Sequence, residues 1–525
     1  MRRSSRNSLV RVAVPLTAVL ILSVAFAALA QITGTGHQSA QDAAVPAGLD
    51  AAATRPPVYF SKVVTYPSGG YMVWSVAVAD LNGDGHPDLI VANLCQSIFG
   101  CDIYNPDIGE VGVLLGRGDG TFQPTVGYSS GGYLSYSVAV GDVNGDGKPD
   151  LVVANGCQDS DCNNASVSVL LGNGDGTFQP AVNYGWAGYI ATSVAIGDLN
   201  GDGHPDLVVG SGCPEGGCTN GAVGVLLGNG DGTFQPPVTY SSGGFYGWVA
   251  IGDVNGDGKP DLVVANSWGT VGVLLGNGDG TFQAPVNYGS GGFAPLSVTI
   301  GDVNGDGKPD LLVANCGTGG GCYNGLVGVL LGNGDGTFQP AVSYSSGGSA
   351  QAIAIADVNG DGHPDLVVAN CGLAVLLGNG DGTFQAPVGY NSGGICGDSV
   401  AVADLNGDGR PDVVIGNWGS SSVGVLLNNF SAKTTTAVTS SLNPSPVGQQ
   451  VTFTATVIAI GRVPDGSTVT FYRGPTVIGT GTTTNGVASL TTSFSKAGGF
   501  QIKASYPGGP FQKPSSGRMK QVVKH

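Results

Sequence analysis

The stretch Asp142-Val-Asn-Gly-Asp-Gly-Lys-Pro-Asp150, followed at once by Leu151-Val-Val-Ala-Asn155, decides how this chain is read. It occurs seven times, starting at Asp80, Asp142, Asp198, Asp253, Asp302, Asp357 and Asp404, at spacings of 47–62 residues. Each copy reads D-[LV]-N-G-D-G-[HKR]-P-D. Side-chain oxygens at positions 1, 3, 5 and 9 of a glycine-rich turn are the donor pattern of a hard cation such as Ca²⁺. Position 7 varies among His, Lys and Arg, so it offers only its backbone carbonyl. A position that accepts Lys is not an imidazole site. EF-hand and dockerin loops share the first half of this pattern but need an acid at position 12 and flanking helices. Here position 12 is apolar (Val91, Val153, Val264) and strands flank the loop.

The expected calcium ligands are therefore Asp80, Asn82, Asp84, His86 and Asp88 in the first copy, and Asp142, Asn144, Asp146, Lys148 and Asp150 in the second. The third is Asp198, Asn200, Asp202, His204 and Asp206; the fourth is Asp253, Asn255, Asp257, Lys259 and Asp261. The fifth is Asp302, Asn304, Asp306, Lys308 and Asp310; the sixth is Asp357, Asn359, Asp361, His363 and Asp365. The seventh is Asp404, Asn406, Asp408, Arg410 and Asp412. About one ion per copy is expected, with position 9 bidentate. Without the ion, three carboxylates per loop repel one another.

An internal period of this length in a β-rich chain points to propeller blades. In the second copy, Ser137–Gly141 reads as strand one and Leu151–Ala154 as a strand buried on both faces. Val167–Leu171 is strand three, Gly172–Gly176 a hairpin turn, and Ala181–Tyr184 strand four. Four antiparallel strands make a blade. No helical periodicity runs from 57 to 430. The seventh copy lacks its fourth strand, because Asn428-Asn-Phe430 replaces GNGDGTF. Val58–Tyr66 and Pro67–Gly70 match the missing segment, so an N-terminal strand is expected to complete the last blade. That closure removes the exposed sheet edges. The Asp-rich loops and the three-four turns then share one face. The two-three loops and the blade connections share the other.

The net charge of −17 would suggest a polyanion, but 27 of the 37 acidic residues lie in the seven loops and six GDGTF turns. The charge is mostly ligand charge, and no basic patch offers a nucleic-acid footprint. Residues 1–30 read as an export signal: Arg2, Arg3, Arg6 and Arg11, an apolar run from Val12 to Leu29, and Ala28-Leu29-Ala30 before Gln31. The run nears the length of a membrane span, so an uncleaved anchor is the alternative. Residues 31–56 read as a disordered linker. No membrane insertion is expected after signal cleavage. Ten Cys fit an oxidising compartment. The close spacings Cys95/Cys101, Cys157/Cys162, Cys213/Cys218 and Cys316/Cys322 suit local disulfides, leaving Cys371 and Cys396, which share a face.

Past Phe430 the pattern changes. Val451–Val457, Ser467–Tyr472, Gly486–Leu490 and Phe500–Tyr506 alternate at period two, as in a small β-sandwich. At this point two resemblances carry weight. The D-x-N-x-D-G-x-x-D loop with LVVAN and VLLGNGDGTF resembles FG-GAP/VCBS-type repeats, the calcium-binding blades of integrin α-chain propellers. The tail, with NPSPVGQQVTFTATV and ASYPGG, is similar to bacterial Ig-like repeats. The first resemblance implies Ca²⁺ in the loops and roles in adhesion or glycan recognition.

The remaining chemistry is sparse. His37 and His525 are the only His outside loop position 7, which leaves no plausible His base. Asp102, Asp107, Glu110, Asp159, Asp161, Glu215 and Asp398 are acids of the variable face, with nothing in the sequence to pair them. The turn acids Asp119, Asp175, Asp231, Asp279, Asp335 and Asp381 read as turn formers. The recurring Tyr71, Tyr133, Tyr189, Phe245 and Phe293 read as packing between blades, whereas Trp268 and Trp418 interrupt short two-three loops and are ligand candidates.

The expected molecule is all-β. A seven-bladed β-propeller spans 57–430, its N-terminal strand closing the last blade, and a small Ig-like β-sandwich spans 433–525. It is read as a secreted or cell-surface, calcium-binding, non-catalytic module for a glycan or an extracellular protein ligand. The alternatives are a polysaccharide-degrading enzyme using loop carboxylates and a purely structural surface component.

Overall fold

The computed structural model describes residues 58–525, apart from 98–100, 103–104, 163, 187, 215–220, 245–246, 318–321, 323 and 460–462. The export signal and the linker expected at 1–30 and 31–56 lie outside the described residues. So does Cys218, the expected disulfide partner of Cys213.

Each repeat becomes one four-stranded antiparallel sheet because its apolar runs are separated by turns that only glycine-rich sequence can make. In the second repeat, Gly145 and Gly147 take φ of 74° and 80°. The chain thereby reverses between the strands Val126–Gly141 and Asp150–Cys157. Asp150–Cys157 and Ala165–Leu170 are buried at every residue, as their continuous apolar run requires. Val138 pairs Val153, Val153 pairs Ser168, and Val169 pairs Val182 across the blade. The third to sixth repeats form separate four-stranded sheets. The first and second are joined into one seven-stranded sheet, because Val126–Gly141 is both the outer strand of one and the inner strand of the next.

The seventh repeat holds Gly397–Ala403, Asp412–Asn417 and Ser422–Leu426. Its fourth strand is Val64–Pro67, antiparallel to Ser422–Leu426 with Val64 opposite Val425. The innermost strand of each repeat packs on that of the next, and Tyr71–Ala79 of the first packs on Gly397–Ala403 of the last. The ring is closed as the sequence predicted, and the fold is a β-propeller. Among the described residues no helix is long and apolar enough to cross a membrane.

The tail forms two further sheets. One holds Thr434–Ser440, Gln450–Ala459 and Val487–Ser493. The other orders Ser445–Pro446, Ser515–Lys524, Gly498–Tyr506, Thr468–Arg473 and Thr476–Thr482. Phe453, Phe471, Ile502 and Tyr506 fill the space between them.

Candidate metal rim and ligand face

Within each Asp-rich loop the first carboxylate gathers backbone N–H groups. Asp142 accepts from Gly145 N (2.7 Å), Asp146 N (3.1 Å) and Gly147 N (2.7 Å). Asn144 Oδ1 accepts from Asp146 N (2.9 Å), and Asp146 Oδ1 from Lys148 N (3.0 Å). These are the Asx turns that Asp and Asn make readily. The same pattern holds at Asp80, Asp198, Asp253 and Asp357.

Position 9 has a task the sequence did not disclose. Asp150 is fully buried; its Oδ2 accepts from Val143 N (2.9 Å) and its Oδ1 from Gly172 N (2.7 Å). One carboxylate thus joins the Asp-rich loop to the three-four turn of the same blade. Asp88, Asp206, Asp261, Asp310 and Asp365 make the same two bonds with their own blades. Asp412 does so with Leu405 N and Asn428 N. In all seven, burial pushes the carboxyl up, opposed by those N–H bonds and reinforced by the two acids at positions 1 and 5. Asp365 is pushed up to about 8 and Asp412 to about 6. The exposed Asp146 is held low, first by the Lys148 backbone N–H.

The donor set fits a hard cation in kind. Each loop presents carboxylate, amide and carboxyl oxygens, and its three acids repel one another. Among the described residues no three acidic, His or Cys side chains converge as a formed metal cluster. The loop oxygens instead hold N–H groups of their own loop and, at position 9, of the three-four turn. Lys148 and Lys259 lie 3.3 and 3.9 Å from the position-5 carboxylates of their loops, so position 7 also has a charge role.

The turn acids make local bonds. Asp175 Oδ1 accepts from Thr177 N (3.0 Å) and Thr177 Oγ1 (2.6 Å), and the other five repeat this. In Asp119, Asp175, Asp231, Asp279 and Asp335 the Thr hydroxyl is the main reason that the carboxyl lies below its usual range.

The opposite face is braced by Cys95–Cys101, Cys157–Cys162, Cys316–Cys322 and Cys371–Cys396. These are four of the five disulfides expected from the spacing of the cysteines. The fifth, between Cys213 and Cys218, is not among the bonds of the described residues. Cys218 itself falls outside them, and of Cys213 only the backbone is described, at the end of the strand Asp206–Pro214 opposite Tyr189. The side chains of Asp102, Tyr189, Glu215 and Phe245 also lie outside the described residues. Trp268 is 63% exposed in the turn between Asp261–Asn266 and Thr270–Leu274. Trp418 is half-buried in the corresponding turn of the seventh blade, three blades away, so the two do not form one site. The acids of this face are engaged locally. Asp107 accepts from Ser97 N (2.9 Å) and Ser97 Oγ (2.6 Å), and Asp159 from Asp161 N (3.1 Å). Glu110 is buried, which raises its carboxyl. Asp398 stands on the inner strand of the seventh blade, where burial pushes it up to about 8.

A second aromatic set, unnoticed in the sequence, ties blade to blade. Tyr128 meets Phe178 edge-on at 5.4 Å, Tyr184 meets Phe234 at 5.4 Å, and Tyr288 meets Phe338 at 5.5 Å. Each joins an outer strand to the GTF turn of the following repeat. The signal was the fixed phase of Tyr in the fourth strand and Phe in the turn.

Comparison with known proteins agrees with this layout. The FG-GAP-like repeat matches residues 99–153, 154–209, 216–264, 253–313, 318–368 and 357–415, and an FG-GAP repeat matches 72–93. A bacterial Ig-like domain (group 3) matches 438–524. Human phosphatidylinositol-glycan-specific phospholipase D is 32% identical over 171 residues, 29% of this chain and 20% of that protein. Integrin alpha-V of Gallus gallus is 29% identical over 233 residues, 39% of this chain and 21% of that protein. The chain thus spans about a fifth of the length of either relative. Since the FG-GAP-like matches together cover more than half of it, the chain belongs to the FG-GAP-like repeat family, with a bacterial Ig-like domain at its C-terminal end.

Proposed function

We propose that the chain is an extracellular, non-catalytic binding module whose Asp-rich rim takes Ca²⁺ and whose disulfide-braced face takes the ligand. The disulfides and the integrin relatives support the location. The observation that carries the reading is the division of labour between faces. The Asp-rich loops are built into the scaffold by fully buried position-9 carboxylates. The opposite face presents Trp268 to solvent.

In the first loop the ion would be held by Asp80, Asn82, Asp84, Asp88 and the His86 carbonyl, and likewise in the other six. Bound, it would supply positive charge that relieves the repulsion among the loop acids. The chain's own residues set the turns and join each loop to the three-four turn of its own blade. An indole on a rigid turn is suited to stack on a sugar ring or to anchor a protein contact. A glycan array tests the first of these. Binding that falls at least about tenfold in Trp268→Ala supports the face assignment. Binding that survives this change but is lost when the Asp-rich loops are altered at the surface places the ligand on the other rim.

A further inference from the structure

The sixth and seventh Asp-rich loops differ from their counterparts because the Ig-like tail sits on them. The tail turn Gly508–Gln512 is closed by Gly509 N to Gln512 O (3.0 Å) and Gln512 N to Gly509 O (3.2 Å). It is tied to the segment that leaves the propeller: Ala432 N donates to Phe511 O (2.7 Å) and Lys513 N to Ala432 O (2.8 Å). The ring of Phe511 lies over Gly360 of the sixth loop. A Cβ there would stand 2.3 Å from the ring. Pro510 lies over Gly409 of the seventh loop, where a Cβ would stand 2.7 Å from it. At the glycines that match Gly409 in the fourth and fifth loops, Gly258 and Gly307, nothing lies within 4 Å.

Arg410 is the joint. Its Nη1 donates to Pro510 O (2.8 Å), its Nε to Asn428 O (2.6 Å), and its Nη2 to Asp408 Oδ2. The Arg410 and Asp408 side chains are 18% and 27% exposed, against 45% and 37% for Lys148 and Asp146. One guanidinium thus holds a carboxylate of the seventh loop and a carbonyl of the Ig-like unit together. A less solvated pair is also less screened.

We propose that this joint is a cation-controlled latch. Asp408 is shared between Arg410 and any divalent ion that the seventh loop takes, so docking of the Ig-like unit and divalent binding at that loop oppose each other. The proposal rests on the calcium reading of the loops. The reason for opposition is charge. A divalent ion drawn to Asp404, Asn406 and Asp408 stands beside a fixed guanidinium, and relief comes when Arg410 swings away and releases Pro510. Linkage makes the effect reciprocal. Whatever factor docking costs the seventh site in affinity, the ion costs docking by the same factor, typically 5–150-fold.

The test uses the full chain. Calorimetric calcium titration counts sites, and small-angle X-ray scattering in chelator and in saturating calcium reads docking. One site weaker than the rest by at least about fivefold is expected, with a larger radius of gyration in calcium than in chelator. Arg410→Gln should bring that site level with the others and give an extended profile in both conditions. Phe511→Ser, at a ring that covers Gly360 of the sixth loop and not the seventh, should free the tail and tighten the same site. Calcium heats with an unchanged scattering profile, or a site insensitive to both substitutions, overturn the latch while leaving the calcium reading intact. No calcium heats in any variant overturns both.

Discussion

A single carboxylate shows how residue chemistry builds the rim. Asp150 could be identified in the sequence as an acid at a spaced position, but not as the group that holds Val143 N and Gly172 N. The motif states which oxygens exist. It does not state which way a buried lone pair points. Asp150→Ala orphans two buried donors, at about 1–3 kcal/mol each, and should lower unfolding free energy by roughly 2–6 kcal/mol in denaturant titration. Asp175→Ala, at the exposed turn, should cost clearly less, and equal losses would contradict the assignment. Asp398 gives a pH signature. Burial pushes its carboxyl up to about 8 from the 3.8 of an ordinary Asp, so between those pH values the folded chain holds a proton that the unfolded chain has released. That contribution is fully present below about pH 4 and is lost as pH rises through about 8. Asp398→Asn should flatten the fall in melting temperature across this window; an unchanged slope would count against it.

At the scale of strands, the four-strand unit was legible because period-two runs and Asn-Gly or Asp-Gly turns agree in every copy. The closing strand was legible from the piece missing at Asn428–Phe430. What the sequence hid was the partner exchange. Tyr390 meets Phe60 edge-on at 5.0 Å, so Phe60 supplies the ring that the absent GTF turn would have given. Phe430 instead stacks with Tyr59 and faces Phe511. These contacts span hundreds of residues or cross domains, so no local pattern carries them. Phe60→Ala should cost roughly 2–4 kcal/mol, somewhat less than loss of a fully buried Phe. Removing the chain through Pro67 bares the edge of Ser422–Leu426 and should cause concentration-dependent association in size-exclusion chromatography. A truncated chain that stays monomeric would argue that the edge is protected otherwise.

A second hidden feature is backbone geometry. Met72, Leu134, Ile190, Ala294 and Cys396 take φ between 49° and 60° just after the blade connection. Such conformations cost of order 1–2 kcal/mol for non-glycine residues. Leu134 and Ile190 are buried with Tyr136 and Cys157, which offsets that cost. Apolar identity at these positions was visible, but the left-handed turn was not, because no glycine marks it.

For the whole molecule, the sequence disclosed the ring, the two faces and the tail's sheets. It was silent on the tail's seat, since Pro510 and Phe511 carry no motif for the loops they cover. If the Asp-rich rim takes calcium, the ring and its Asp-rich loops depend on one another. Differential scanning calorimetry with graded calcium, paired with titration calorimetry on the same chain, measures this most directly. The melting temperature is expected to climb with calcium, fall on chelation, and saturate near one ion per loop, the seventh filling last. A melting curve unmoved by calcium or chelator, with no binding heats, would contradict it.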